Sequence, residues 1–143
     1  MRQFNIVGVL SLCVPDGSTC TNLVEHDCFL FGAAGGEEMR LFLFKELEPD
    51  PTQWCYSALE DHIRNSVGPP FQTSVQEVEG ETWAGYQGVT ALDEFRFLVN
   101  RVIASKVSNY GLRLEFRGTK DQLPETIVEM AESIAFLDPS STR

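Results

Sequence analysis

The sequence predicts an α+β fold: an antiparallel sheet of seven or eight strands with two packed helices. Three observations carry that expectation. Segments of apolar–polar alternation, the period of a strand, lie on both sides of one long segment with helical period. Turn residues separate the alternating segments by only a few positions. That suits antiparallel neighbours, because a parallel pair needs a crossover of roughly a dozen residues or more. A second, shorter helical pattern comes near the end. The 143 residues suit a single α+β domain over 1–138, followed by a polar tail at 139–143.

In chain order, Phe4, Ile6, Gly8, Leu10 and Leu12 alternate with Gln3, Asn5, Val7, Val9 and Ser11, which predicts a first strand. Pro15-Asp16-Gly17-Ser18 is a turn, since proline presets φ and glycine accepts a positive φ. A second strand is expected around Leu23 to Phe31. Gly32 to Gly36 then reads as a hairpin loop, because it lacks the Lys-Ser/Thr pair of a phosphate loop. The third strand is Glu38 to Glu46, with Leu41-Phe42-Leu43-Phe44 apolar on both faces.

The long helix follows. Asp50 can cap it and Pro51 suits its first turn. Cys55, Leu59, Ile63 and Val67 recur every four residues beside Ala58, and Gly68-Pro69-Pro70 stops the run. The period then returns to two. Val75 and Val78 mark a strand with Glu77, Glu79 and Glu81 on one face, and Gly80 signals a turn or bulge. Trp83 to Ala91 and Phe95 to Lys106 are further strands, joined at Asp93-Glu94. Ser108 to Gly111 is a hairpin turn, after which Leu112, Leu114 and Phe116 alternate with Arg113, Glu115 and Arg117. Leu123, Ile127, Met130, Ala131 and Ile134 form the stripe of a final helix from Pro124 to Ser133, and Ala135 to Leu137 a short closing strand.

Composition narrows the function. The chain is 43% hydrophobic and carries a net charge of −10. Such an acidic balance argues against nucleic acid or an anionic membrane as the main partner, and suits a basic protein partner. The longest apolar runs fall short of the ~20 residues of a membrane helix. The apolar start, Phe4 to Val14, lacks the small residue before Cys13 that a lipoprotein signal requires, so a cytoplasmic protein is expected. Cys13, Cys20, Cys28 and Cys55 are expected as reduced thiols, since a chain of this length builds a core without bridges. His26 near Cys20 and Cys28 matches no common zinc spacing, so no metal and no cofactor is expected.

Three segments carry a resemblance: the single helix Pro51 to Val67 after a run of strands, the step Val78-Glu79-Gly80-Glu81-Thr82-Trp83-Ala84, and the close Met130-Ala131-Glu132-Ser133-Ile134-Ala135-Phe136. Together they resemble the PsbP-like fold. That fold is also seen in a Ran GTPase release factor and in the effector-associated chaperones of type VI secretion. The resemblance covers most of the chain as topology. It implies a protein-binding role rather than catalysis.

No catalytic motif accompanies it. His62 sits on the long helix, three residues from Leu59, without a nucleophile elbow anywhere in the chain. The expectation is therefore a non-enzymatic binding protein, similar to a secretion-associated chaperone or adaptor. Its partner would be a secreted effector or a toxin, and the protein itself a homodimer. An immunity protein that blocks a basic toxin site is the alternative, and a small enzyme or ligand-binding domain a second one. A sheet this wide leaves apolar area beyond the reach of two helices, so Phe42, Phe44, Phe95 and Phe97 are expected on a partner-binding face. Trp83 continues the parity of Glu77, Glu79 and Glu81 and is placed on that face, with Arg101 stacked on its indole. A bulge at Gly80 would instead turn Trp83 into the core.

Overall fold

Strand β8, Arg96–Ser105, is buried without interruption from Leu98 to Ala104. Successive strand residues face opposite sides of a sheet, so this strand requires cover on both of its faces. The computed structural model, which describes residues 2–6, 8–23, 28–32, 37–45, 51–67, 73–119 and 125–138, shows how that cover is built.

The main sheet has seven strands, all neighbours antiparallel. Their order is β3 (Thr19–Leu23), β4 (Cys28–Gly32), β5 (Glu38–Phe44), β9 (Gly111–Thr119), β8, β7 (Trp83–Ala91) and β6 (Thr73–Glu79). One face carries Phe31, Met39, Leu41, Val99, Ile103, Leu112 and Leu114 into the larger core. A three-stranded sheet covers it, in the order β1 (Arg2–Ile6), β2 (Leu10–Val14) and β10 (Ala135–Phe136), together with α2 (Glu125–Glu132). The other face presents Val102 and Ala104 to Cys55 and Leu59 of α1 (Pro51–Val67). The α+β expectation holds, with the two helices on opposite faces of the seven-stranded sheet.

Two predicted strands are hairpins. The first is broken at Gly8, whose φ of +71° is open to glycine and costly for other residues. Val9 N–H donates to Ile6 O at 2.8 Å, and β1 folds back on β2 with Phe4 opposite Leu12. One glycine inside an apolar run is a weak turn signal, so the alternation reads straight through it. The second is likewise two strands, with Leu23 opposite Cys28. Residues 24–27 between them lie outside the described residues, as do 33–36, Asp50, Gly68 to Pro70, Leu123, Pro124 and the tail 139–143. The turn at Pro15 forms as expected, with Ser18 N–H donating to Pro15 O at 3.2 Å.

Gly80 closes a tight hairpin between β6 and β7 and makes no bulge. Its N–H donates to Trp83 O at 2.8 Å, and Glu79 stands opposite Ala84. The parity of Glu77 and Glu79 therefore passes to Ala84 and Tyr86, while Trp83 shares the face of Val78 and Gly85. This corrects the placement of Trp83 on a partner face. The residue is 4% exposed and belongs to the larger core. Its indole N–H donates to Ile134 O at 3.0 Å. A Cβ on Gly80 would run into the indole ring, so the turn glycine and the tryptophan are matched.

Around this point the end of the chain is stitched to both sheets. Phe136 N–H donates to Thr82 Oγ1 at 2.9 Å, and Leu137 N–H to Val9 O at 2.8 Å. Cys13 N–H donates to Ser133 Oγ at 2.8 Å, and Ser133 Oγ–H donates to Met130 O at 2.7 Å. Trp83→Ala is expected to cost about 3–5 kcal/mol, the range for emptying a buried aromatic site. Urea unfolding of the variant measures this; a loss under about 1 kcal/mol would mean that the indole does not hold the two layers together.

Candidate partner-binding surface

The six residues expected at one binding face are divided by the sheet. Arg101 does stack on Trp83, with its guanidinium carbon 5.4 Å from the ring centroid, but the pair lies inside the molecule. Arg101 Nε and Nη2 donate to Gln87 Oε1 at 3.0 and 2.7 Å, and Nη2 pairs with Glu132 Oε1 at 2.8 Å. The arginine thus ties α2 to the sheet and is itself buried. Phe97 is half-buried against the same core. These placements correct the expectation for Trp83, Arg101 and Phe97.

Phe95 is 62% exposed in the turn between β7 and β8. Asp93 Oδ1 accepts the N–H groups of Arg96 and Phe95 at 2.7 and 2.8 Å. Those bonds, with the Arg96 side chain, hold the Asp93 carboxyl down at about 2. Phe42 and Phe44 lie on the α1 face. Phe42 is half-buried beneath Arg113, whose guanidinium carbon is 4.2 Å from its ring centroid.

Helix α1 packs on β7 and β8 and is flanked by aromatic pairs. Successive helical residues are ~100° apart, so when Cys55 points into the sheet, Trp54 and Tyr56 straddle the contact. Trp54 meets Phe44 edge-on at 5.4 Å, and Tyr56 meets Tyr86 edge-on at 5.3 Å. Phe44 remains 39% exposed and Tyr56 44%. Beyond Tyr86, β6 adds Val75, 47% exposed, with Glu77 and Glu79 on the same face. Tyr86 Oη–H donates to Glu77 Oε1 at 3.4 Å, and Lys106 Nζ donates to Glu79 Oε2 at 2.5 Å. This α1 side therefore holds apolar and acidic groups together.

A polar cluster locks α1 over β9. Arg113 Nη1 lies 3.0 Å from His62 Nε2, 3.1 Å from Glu115 Oε2 and 3.4 Å from Asn100 Oδ1. His62 Nε2 is also 3.5 Å from Glu115 Oε2. Two arrangements satisfy it: an unprotonated Nε2 accepts from Arg113, or an Nε2 bearing hydrogen donates to Glu115. His62 and Arg113 hold the Glu115 carboxyl below its ordinary range, against the opposing effect of burial. Cys28 stands two strands away in the same row, and burial pushes its thiol up against the pull of Arg40 and Arg113.

Among the described residues, no three His, Cys, Asp or Glu side chains gather as a metal site, and no helix is long and apolar enough to cross a membrane. His26 lies outside the described residues. The sequence reading missed Tyr56, Tyr86, Arg113 and Asn100. For His62 a signal existed, since it falls seven residues after Cys55 and shares the sheet-facing side of α1.

No protein-family model matches the sequence, and no curated protein does. Among solved structures, a crystal structure from Bacteroides thetaiotaomicron VPI-5482 at 1.50 Å resolution is similar, with a TM-score of 0.60 and 14% identity. The likeness covers 99% of this chain and 50% of that one, so this chain spans half that structure's length. At this identity the likeness is one of fold.

Two predictions follow from these environments. None of the four cysteines is in a disulfide; Cys28 and Cys55 are buried, and the Cys55 thiol is pushed up to about 12 by burial. Thiol titration is expected to find four free groups after unfolding, with Cys55 silent in the native protein. Rapid native labelling of Cys55 would contradict the packing of α1. Because the Glu115 pKa is depressed on folding, its contribution is present above the ordinary Glu value of ~4.3 and is lost as pH falls through the lower folded value. Glu115→Gln is therefore expected to flatten the acid side of the stability profile below pH ~4.3. Parallel acid limbs for both proteins would show that the carboxylate is not held this way.

Proposed function

We propose that the protein is a non-enzymatic binding protein of the effector-chaperone or adaptor kind. It holds an apolar or amphipathic segment of a protein client against the α1 side of its sheet. The observation that carries this reading is the set of exposed apolar side chains on that one side, Phe44, Tyr56 and Val75, in a chain of net charge −10. Aromatic side chains offer large contact area and are enriched among residues that dominate binding energy. The acidic groups beside them favour a client with basic character. The resemblance to the PsbP-like fold read from the sequence, if it holds, implies the same kind of role. A toxin-neutralising role would use the same acidic character, and the identity of the client separates the two.

The test is co-expression with the product of a neighbouring gene, followed by gel filtration and binding kinetics. A stable complex is expected. Phe44→Ala and Tyr56→Ala together should weaken it by at least about 2 kcal/mol, the level of a binding hot spot. Association should slow as salt rises, since exposed charges are screened beyond ~8 Å at physiological ionic strength. A complex indifferent to both substitutions would remove the α1 side as the client site, and a salt-independent rate would remove the role given to charge.

A further inference from the structure

Strand β6 is the outer strand at one end of the seven-stranded sheet. One contact fixes the phase of its hydrogen bonds. Gly80 N–H to Trp83 O, at 2.8 Å, makes Gly80 and Trp83 a bonded pair. Bonded and non-bonded pairs alternate along an antiparallel ladder. Val78–Gly85, Gln76–Gln87 and Ser74–Val89 are then bonded pairs, and Val75, Glu77 and Glu79 turn their N–H and C=O groups to the outer edge, where no strand pairs among the described residues. The far side of β7 agrees: Lys106 N–H donates to Thr82 O at 2.8 Å, which puts the β7 bonds to β8 at Ala84, Tyr86 and Gly88.

Proteins usually guard such an edge with proline, a bulge or charge. Over its seven residues β6 has neither proline nor bulge, and its exposed guards are Glu77 and Glu79. Both carboxylates lie on the α1 face with exposed Val75. Tyr86 and Lys106 each donate to one of their oxygens, which fixes the carboxylates in place, and a carboxylate can accept further bonds. A second copy of β6 would bring two more carboxylates onto the same face, between chains that each carry −10. The edge thus repels its own kind while offering backbone pairing to a strand of opposite charge.

We propose that the β6 edge accepts an extended segment of a protein partner as an added strand. Lysine or arginine at alternate positions of that segment faces Glu77 and Glu79, and an apolar residue covers Val75. Main-chain pairing supplies affinity and the alternate side chains supply selectivity. This rests on the protein-binding reading above and assigns the partner one edge and one chemistry.

The probe is a capped heptapeptide of alternating threonine and valine, with lysine at the two positions opposite Glu77 and Glu79. The control carries glutamate there. In amide NMR spectra the lysine peptide is expected to shift the outward N–H signals of Val75, Glu77 and Glu79 more than those of Gln76 and Val78. Combined Glu77→Gln and Glu79→Gln should weaken it about tenfold and reduce its salt dependence. Val75→Pro removes one outward donor without touching a β6–β7 bond, and should weaken binding by at least about tenfold. Equal binding of the glutamate peptide, unmoved β6 amides, or unchanged binding by the glutamine pair would overturn the proposal, whether or not the proline variant folds. Self-association abolished by Val75→Pro would assign the edge to a second copy and likewise overturn it. A natural client whose complex survives the glutamine pair but fails without Phe44 and Tyr56 would leave the binding role standing and remove only this edge.

Discussion

The two-sided burial of β8 is the constraint on which the other layers depend. From Leu98 to Ala104 its side chains are buried on both parities, and they include Asn100 and Arg101. An apolar strand with one bare face would leave several large side chains in water, each worth about 1.5–3 kcal/mol when buried. The fold meets this with α1 on one side, and α2 with the three-stranded sheet on the other. The polar pair within β8 is partnered mainly by its own neighbouring strands, with α2 adding Glu132. Glu132 and Gln87 meet Arg101 on one face, and Arg113 meets Asn100 on the other.

The layers are secured differently. On the α2 side, apolar packing is fixed by directed bonds near Thr82 and Trp83, where the indole donates to Ile134 O and Thr82 accepts from Phe136. Buried polar groups left without partners are costly, so these bonds define one docking position. On the α1 side the described buried contact sets Cys55 and Leu59 on Val102 and Ala104, and the helix is also held by aromatic pairs and the His62–Arg113–Glu115 cluster. Among the described residues, a narrow helix on a wide sheet leaves Phe44, Tyr56 and the β6 side chains Val75, Glu77 and Glu79 exposed. The binding role proposed above is a reading of that geometry.

Much of the fold was legible in the sequence because period-two and period-four patterns report local geometry directly. Pro51 in the first turn of α1 and its end at Val67 came from the flanking cap and stop residues, and the stripe of Cys55 and Leu59 from spacing. The Ile127, Met130 and Ala131 stripe of the second helix did too. The hairpin at Gly8 was not legible, since apolar alternation is the same whether a strand continues or folds back.

The candidate site was legible only in its ingredients. The residue types expected to meet, Trp83 with Arg101, do meet at 5.4 Å, yet the face they occupy was misplaced. Parity can be counted along one strand but is reset by the geometry of a turn, and the closed hairpin at Gly80 sent Trp83 inward and left Tyr86 beside Glu77. By itself, the sequence determined which segments become strands and helices and that the molecule is acidic, because those properties depend on neighbours in the chain. Only the tertiary structure decided which face each layer covers, that Arg113, Glu115, Asn100 and His62 converge, and that β6 ends the sheet, because those depend on contacts between residues far apart in sequence.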